Sequence, residues 1–287
     1  MQTTTRRRFL QQTSLLSAGL MFTPDEIFKL NKKIGIQLYT VRNLMSKDPK
    51  GTIQKVAATG YQEIESFGYS NGKYFGMNSK EYADLLKQNH LTHPSAHYSM
   101  ANLRTEWDKA IADALVTGQK YMVIAHLDEN ERKTIDDYKK VAEEFTIGAA
   151  KCKKAGIQFA YHNHDFEFID MNGQHGYEIL LKETDPKLVK FEMDIYWVTK
   201  ANHDPLRLFD QHPGRFPLWH VKDMDKTEKK SFTEVGNGII NFKKIFDKAK
   251  KAGMQHFFVE QDISVDPLAS IQKSYQYIKN NLVKELS

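Results

Sequence analysis

Polar side chains that could do chemistry recur at one place in this sequence, the end of each short apolar run. Gln37, Glu65, His97, His126, His162 with His164, Asp194, His220 with Lys222, and Glu260 each close or follow such a run. Five of the 11 histidines belong to this set. A lone polar residue at such a position is ordinarily a hydrogen-bonded structural group. One per run, all along the chain, is not what independent structural needs produce. Converging imidazoles and carboxylates are what a divalent cation requires, and this mixture suits Zn, Mn, Co or Fe better than Ca. The single cysteine, Cys152, excludes an internal disulfide and a thiolate-rich zinc site. It falls in a helical pattern and reads as a small core residue. His162 and His164 alternate, so on a strand they share a side. A paired imidazole there suits acid–base work near neutral pH.

The elements that must position these groups can be read from the pattern. Eight short runs rich in β-branched and aromatic residues predict buried parallel strands: Lys33–Tyr39, Glu63–Phe67, Thr92–His97, Tyr121–Ala125, Gln158–His162, Lys190–Asp194, Leu218–Val221 and Phe257–Glu260. Amphipathic stretches alternate with them: Thr52–Thr59, Ser79–Asn89, Thr105–Thr117, Thr134–Ala155, Asn241–Ala252 and a last helix opened by Asp266-Pro267. Gly60, Gly118, Gly156 and Gly253 stop helices just ahead of strands, the punctuation of a repeated βα unit. Eight such units predict a single-domain α/β fold, the (β/α)8 TIM barrel, over residues 31–287. In that fold catalytic groups sit at the C-terminal ends of the strands, where this chain carries its polar residues. The competing open, doubly wound sheet calls for a glycine-rich turn after the first strand. Gln37-Leu38-Tyr39-Thr40-Val41-Arg42 has none.

The 287 residues carry 41 basic and 36 acidic side chains, a net charge of +5. Residues 1–30 read as an address with a short linker. Thr5-Arg6-Arg7-Arg8-Phe9-Leu10-Gln11 and the apolar run from Thr13 to Phe22 resemble a twin-arginine signal, which exports folded proteins to the periplasm. Removing Arg6, Arg7 and Arg8 takes the net charge from +5 to +2. That is too weak for a nucleic-acid surface. No later stretch approaches the length of an integral membrane segment. A homo-oligomer is compatible with the helix faces, since the sequence does not separate core faces from interface faces.

Several segments resemble a known family, the xylose isomerase-like sugar phosphate isomerases/epimerases. They are Ile36-Gln37-Leu38-Tyr39-Thr40-Val41-Arg42, Tyr161-His162-Asn163-His164-Asp165-Phe166-Glu167-Phe168, Glu192-Met193-Asp194, Trp219-His220-Val221-Lys222-Asp223, Glu234-Val235-Gly236-Asn237-Gly238 and Val259-Glu260-Gln261-Asp262. The family's metal ligands are Glu, Asp, His and Glu from strands 5 to 8. The resemblance assigns Asp194, His220 and Glu260 to three of these places. At the fourth the chain departs, because His162 stands where the family has Glu. Either Glu167 swings back from the loop or His162 ligates. Glu167 is preferred, since a site of two histidines and two carboxylates would leave that loop carboxylate without a role. The expected cofactor is a divalent ion, with Mn, Zn, Co and Mg as candidates.

The resemblance implies proton abstraction next to a carbonyl of an unphosphorylated sugar or keto-sugar, with the metal polarising the carbonyl. His162, His164, Glu260 and Lys222 are the expected catalytic groups, with Lys222 balancing enediolate charge. Gln37, Glu65, His97 and His126 are expected to bind sugar hydroxyls. Trp197 and Trp219 are candidates either for packing under a sugar ring or for the core. The leading expectation is an isomerase or epimerase. The alternative is a lyase, because His-x-His resembles a subgroup that eliminates, as in 3-keto-glycoside cleavage or inosose dehydration. A sugar-binding barrel without catalysis is the remaining alternative, and a nuclease is disfavoured by the weak charge.

Overall fold

The computed structural model describes residues 33–283. Eight parallel strands close into one barrel. They are β1 (Gly35–Gln37), β2 (Glu63–Ser66), β3 (Thr92–Tyr98), β4 (Tyr121–Ile124), β5 (Gln158–His162), β6 (Val189–Asp194), β7 (Leu218–Val221) and β8 (His256–Val259). Each pairs with its sequence neighbours, and β8 returns to β1. The expected TIM barrel is the observed fold. The expected signal at residues 1–30 lies outside the described residues. Among the described residues no helix is long and apolar enough to cross a membrane.

The helices start and stop where side chains satisfy their free ends. Asp48 caps Pro49–Thr59, and Gly60, at φ 114°, ends it in a left-handed turn. Asn78, rather than Ser79, caps the next helix, in a reciprocal box with Glu81. Thr134 and Asp137 form a second such box at Ile135–Lys154. The segment expected as one helix from Thr105 begins at Trp107, after a separate helix, Met100–Thr105. β1 is shorter than expected because the Gln37 side chain accepts the Tyr39 N–H at 3.0 Å and turns the chain into a 3-10 helix, Leu38–Val41.

Strand alternation divides each β-segment between the barrel interior and the helix layer. Phe159, Tyr161, Phe191, Trp219 and Phe257 face outward and are fully buried under helices. Trp219 stacks on Phe209 at 4.9 Å, so it is outer-wall core and lies away from the mouth. Inside, Val123, Ala160, Leu218 and Phe258 form an apolar cluster, with Tyr121 packed against it. The cluster needs Gly35: a Cβ there would meet the Phe258 ring at 2.5 Å. One step toward the C-terminal ends of the strands, at His162, His220 and Glu260, the interior becomes polar.

Candidate metal centre

The polar layer is built by alternation. Gln37, Glu65, His97, His162, Glu192, Asp194, His220 and Glu260 come from seven of the eight strands and their ends, and all are buried. They sort into an inner network and an outer group, with the imidazoles of His220 and His162 lying between them.

The inner network centres on two carboxylates. Glu65 Oε2 accepts from Gln37 Nε2 at 2.9 Å and lies 2.6 Å from His220 Nε2 and 3.2 Å from His97 Nε2. Glu192 Oε2 lies 2.6 Å from His97 Nε2, 3.0 Å from His162 Nδ1 and 3.2 Å from His220 Nε2. Burial penalises these charges, but the neighbours decide. Burial raises Glu65, yet His97 and His220 pull it well below the usual carboxylate range. Glu192, penalised by burial and by Glu65, is pushed up to about 7. His97 would be lowered by burial, but Glu65 and Glu192 bring it up to about 9.

The outer group is Asp194, His220 and Glu260, whose ligand atoms lie within 4.8 Å of one another. His220 Nδ1 is 2.8 Å from Glu260 Oε2 and 3.9 Å from Asp194 Oδ2. His162 Nε2 is 3.8 Å from the same Asp194 oxygen. Each of these two imidazoles thus turns one nitrogen to the Asp194–Glu260 pair and the other to a buried carboxylate. A carboxylate behind a histidine fixes its tautomer and orientation for a metal. Burial and the adjacent His220 and His97 hold His162 well below its ordinary pKa, which keeps it neutral, as a ligand must be. The Glu65 and Glu192 Oε1 atoms are buried without a hydrogen-bond partner. Asp194, His220 and Glu260 fit a divalent transition ion, with Lys222 beside them; His162 belongs to a second group of possible donors, with His97, Glu192 and His220.

Glu167 does not join this group. Tyr161 points to the outer wall, and the turn Phe166–Phe168 folds Glu167 back over it. There it accepts from the Tyr161 hydroxyl at 2.5 Å and from the His164 N–H at 2.8 Å. Burial pushes it up to about 8. The strand-5 side chain that reaches the donors is His162, contrary to the preference for Glu167.

Above the donors a cavity of about 970 Å3 opens. His97, His126, His162, His164, Lys222 and Glu260 line it. Gln37 and Glu65 lie beneath it, fully buried; Gln37 donates to Glu65 and Glu65 engages His220, in place of the expected sugar hydroxyls. His164 stacks on Phe166 and meets His126 edge-on at 5.1 Å. Its Nδ1 is buried and unpartnered, and burial with nearby Lys222 holds the ring well below its ordinary pKa. Tyr39, Phe67, Trp197 and Phe232 supply an aromatic wall. The Gly236–Gly238 turn is organised by Asp223, whose carboxylate accepts from the backbone N–H groups of Gly236, Gly238 and Ile240.

Two site residues were not singled out from the sequence, Glu192 and Asp262. Each stands two positions from an expected ligand, Asp194 or Glu260, so alternation was the signal that could have found them.

A family model described as a xylose isomerase-like TIM barrel matches residues 53–281. The chain belongs to this family. Among solved members, a sugar phosphate isomerase/epimerase from Parabacteroides distasonis ATCC 8503 superposes with a TM-score of 0.77 and 28% identity, over 88% of this chain and 94% of that one. The zinc-bound IolI protein shares the fold, with a TM-score of 0.69 and 15% identity over 89% of this chain and 99% of its own. An inosose dehydratase from Geobacillus thermodenitrificans is 29% identical over 144 residues, 43% of this chain and 48% of that protein. The match thus spans about half the length of that relative.

Proposed function

We propose that this family member is a divalent-metal-dependent lyase that removes a proton next to a carbonyl of an unphosphorylated keto-polyol or keto-sugar and eliminates the β-oxygen substituent. The observation that carries the reading is the orientation of His162 and His220, each backed by a buried carboxylate and facing Asp194 and Glu260. A divalent ion held by Asp194, His220, Glu260 and His162 would polarise the substrate carbonyl and stabilise the enediolate. The zinc of the IolI protein supports such a site in this fold.

His164 is the group assigned to take the proton. It lines the cavity, and burial and Lys222 hold its ring well below the ordinary imidazole pKa, so it enters as the neutral base. The Glu167 carboxylate holds the His164 backbone, and Phe166 fixes its ring plane. Lys222 offers an ammonium to the developing oxyanion. As the β C–O bond breaks, the electron pair of the C–H bond forms the C=C bond. The leaving oxygen takes the proton held by His164 and departs as water or an alcohol, which returns the imidazole to its neutral form. Both arginines lining the cavity are engaged: Arg104 with Glu131 and Glu144, and Arg42 with the Asp262 and Tyr39 carbonyls. That favours a substrate without phosphate. The inosose dehydratase relative supports elimination.

Isomerisation or epimerisation on the same centre is the second reading, favoured by the Parabacteroides distasonis neighbour. Metal-loaded protein incubated with keto-inositols, 3-keto-glycosides and ketohexoses in deuterated water separates the two. Loss of water or aglycone identifies a lyase. Deuterium uptake with every bond to oxygen retained identifies an isomerase or epimerase. Neither event across the panel defeats both. The arginine pattern at residues 5–11 adds export to this reading, tested by fractionating cells that express the full chain.

A further inference from the structure

Lys222 reaches the cavity floor from just beyond β7, two residues past His220. Its side chain is 1% exposed, and Nζ lies 2.9 Å from Asp194 Oδ2 and 2.6 Å from Glu260 Oε2. These two carboxylates also belong to the group of donors able to share one ion. Two cations drawn to the same oxygens repel each other, and a buried site screens that repulsion poorly. Asp262 stands apart. It lies outside that donor group, is 19% exposed, lines the cavity, and places Oδ1 2.9 Å from the ammonium. The rings of Trp197 and Phe232 lie 5.5 and 5.6 Å from the same nitrogen, within reach of a cation–π contact.

We propose that Lys222 is a tethered cation competing with the divalent ion for Asp194 and Glu260, and that Asp262 holds the ammonium aside when the ion is bound. The inference rests on the metal reading above. Asp262 is in this account a positioning residue: it acts on the ion through Lys222. The flexible lysine stem allows the short swing, and the charged aromatic-lined corner gives the ammonium somewhere to go. The ammonium stays protonated throughout, so only its place changes.

The test is the Mn(II) affinity of the purified full-length chain, read from the electron paramagnetic resonance of free Mn(II) at one fixed pH. Lys222→Met is expected to bind about tenfold tighter or more, and Asp262→Asn roughly three- to tenfold weaker. The double variant is expected to match Lys222→Met, because no ammonium remains to be held. An equal loss from Asp262→Asn in the Lys222→Met background makes Asp262 a direct partner of the ion and overturns the proposal. Affinity indifferent to Lys222→Met also overturns it while leaving the metal reading intact. No Mn(II) bound by any of the four proteins defeats the metal reading, and this inference with it. Crystal structures of the wild type with and without Mn(II) check the same point without a variant. Nζ should leave Asp194 and Glu260 and keep Asp262 in the loaded form; an unmoved Nζ refutes the swing.

Discussion

His93 and His97 stand four residues apart on β3, both buried, yet they live in opposite surroundings. His97 faces into the barrel between Glu65 and Glu192, which overcome burial and bring it up to about 9. His93 lies against the edges of Tyr74 and Tyr82, with Ser66 Oγ 2.9 Å from its Nε2. Burial brings it down to about 3. The register explains the split. Glu63 pairs with Thr92 but Glu65 with Ser95, so β3 carries an extra residue there. Such a bulge re-aims side chains, and His93 turns to the helix layer while His97 stays inside. Depth alone therefore does not decide what a histidine does; the company it keeps does.

The sharpest way to break this comparison is to remove each ring. His97→Leu leaves Glu65 and Glu192 short of a buried partner and is expected to cost about 3–5 kcal/mol in urea unfolding. A loss no larger than that of His93→Leu would mean the two sites do not differ as described. Next in size, Glu192→Gln removes the negative charge behind His162 and His97, leaving only an amide there. It should weaken divalent-ion affinity about 10–100-fold with the fold intact by circular dichroism.

The pH dependence of stability, followed by urea midpoints on chelated protein, should differ in sign. His97 has a raised folded pKa. Its contribution is complete below its unfolded value of about 6.5 and fades as pH rises through about 9. His93 has a depressed one. Its contribution is present above about 6.5 and is lost as pH falls toward about 3. Each slope is at most about 1.4 kcal/mol per pH unit. His97→Leu should flatten the alkaline limb alone and His93→Leu the acid limb alone. One variant flattening both limbs would dissolve the contrast. The smallest expected effect is Glu167→Gln, about 1–2 kcal/mol, since the amide oxygen can still accept from the Tyr161 hydroxyl while the acceptor facing the His164 N–H is lost. A complete loss of bound metal in that variant would restore Glu167 as a ligand.

Strand order and the loaded rim were legible because both follow from short-range pattern. Helices ended by Gly60, Gly118, Gly156 and Gly253 just ahead of apolar runs set the βα repeat, and polar residues at the strand ends mark the catalytic face. Asp194, His220 and Glu260 were placed together on that ground and by resemblance. The choice between His162 and Glu167 was not legible. It depends on a 3-10 turn that folds Glu167 over an outward-facing Tyr161, a tertiary outcome with no local signature. His93 carried no signal either, because an inserted residue in β3 cancels the alternation that would have paired it with His97. Glu192 lies within the run Lys190–Asp194, two residues short of its polar end. Its role follows only once alternation is carried two residues back from Asp194.

Val123, Ala160, Leu218 and Phe258 close the barrel beneath the charged layer. Under the metal reading proposed above, the centre is then reached, among the described residues, through the cavity over His97, His164 and Lys222. A chelator, an incoming ion and a substrate must all queue at the same mouth, so a molecule resting there would slow stripping of the ion as a cork slows evaporation. In that reading, retention of a bound cation would depend on traffic at the entrance as much as on the strength of its bonds.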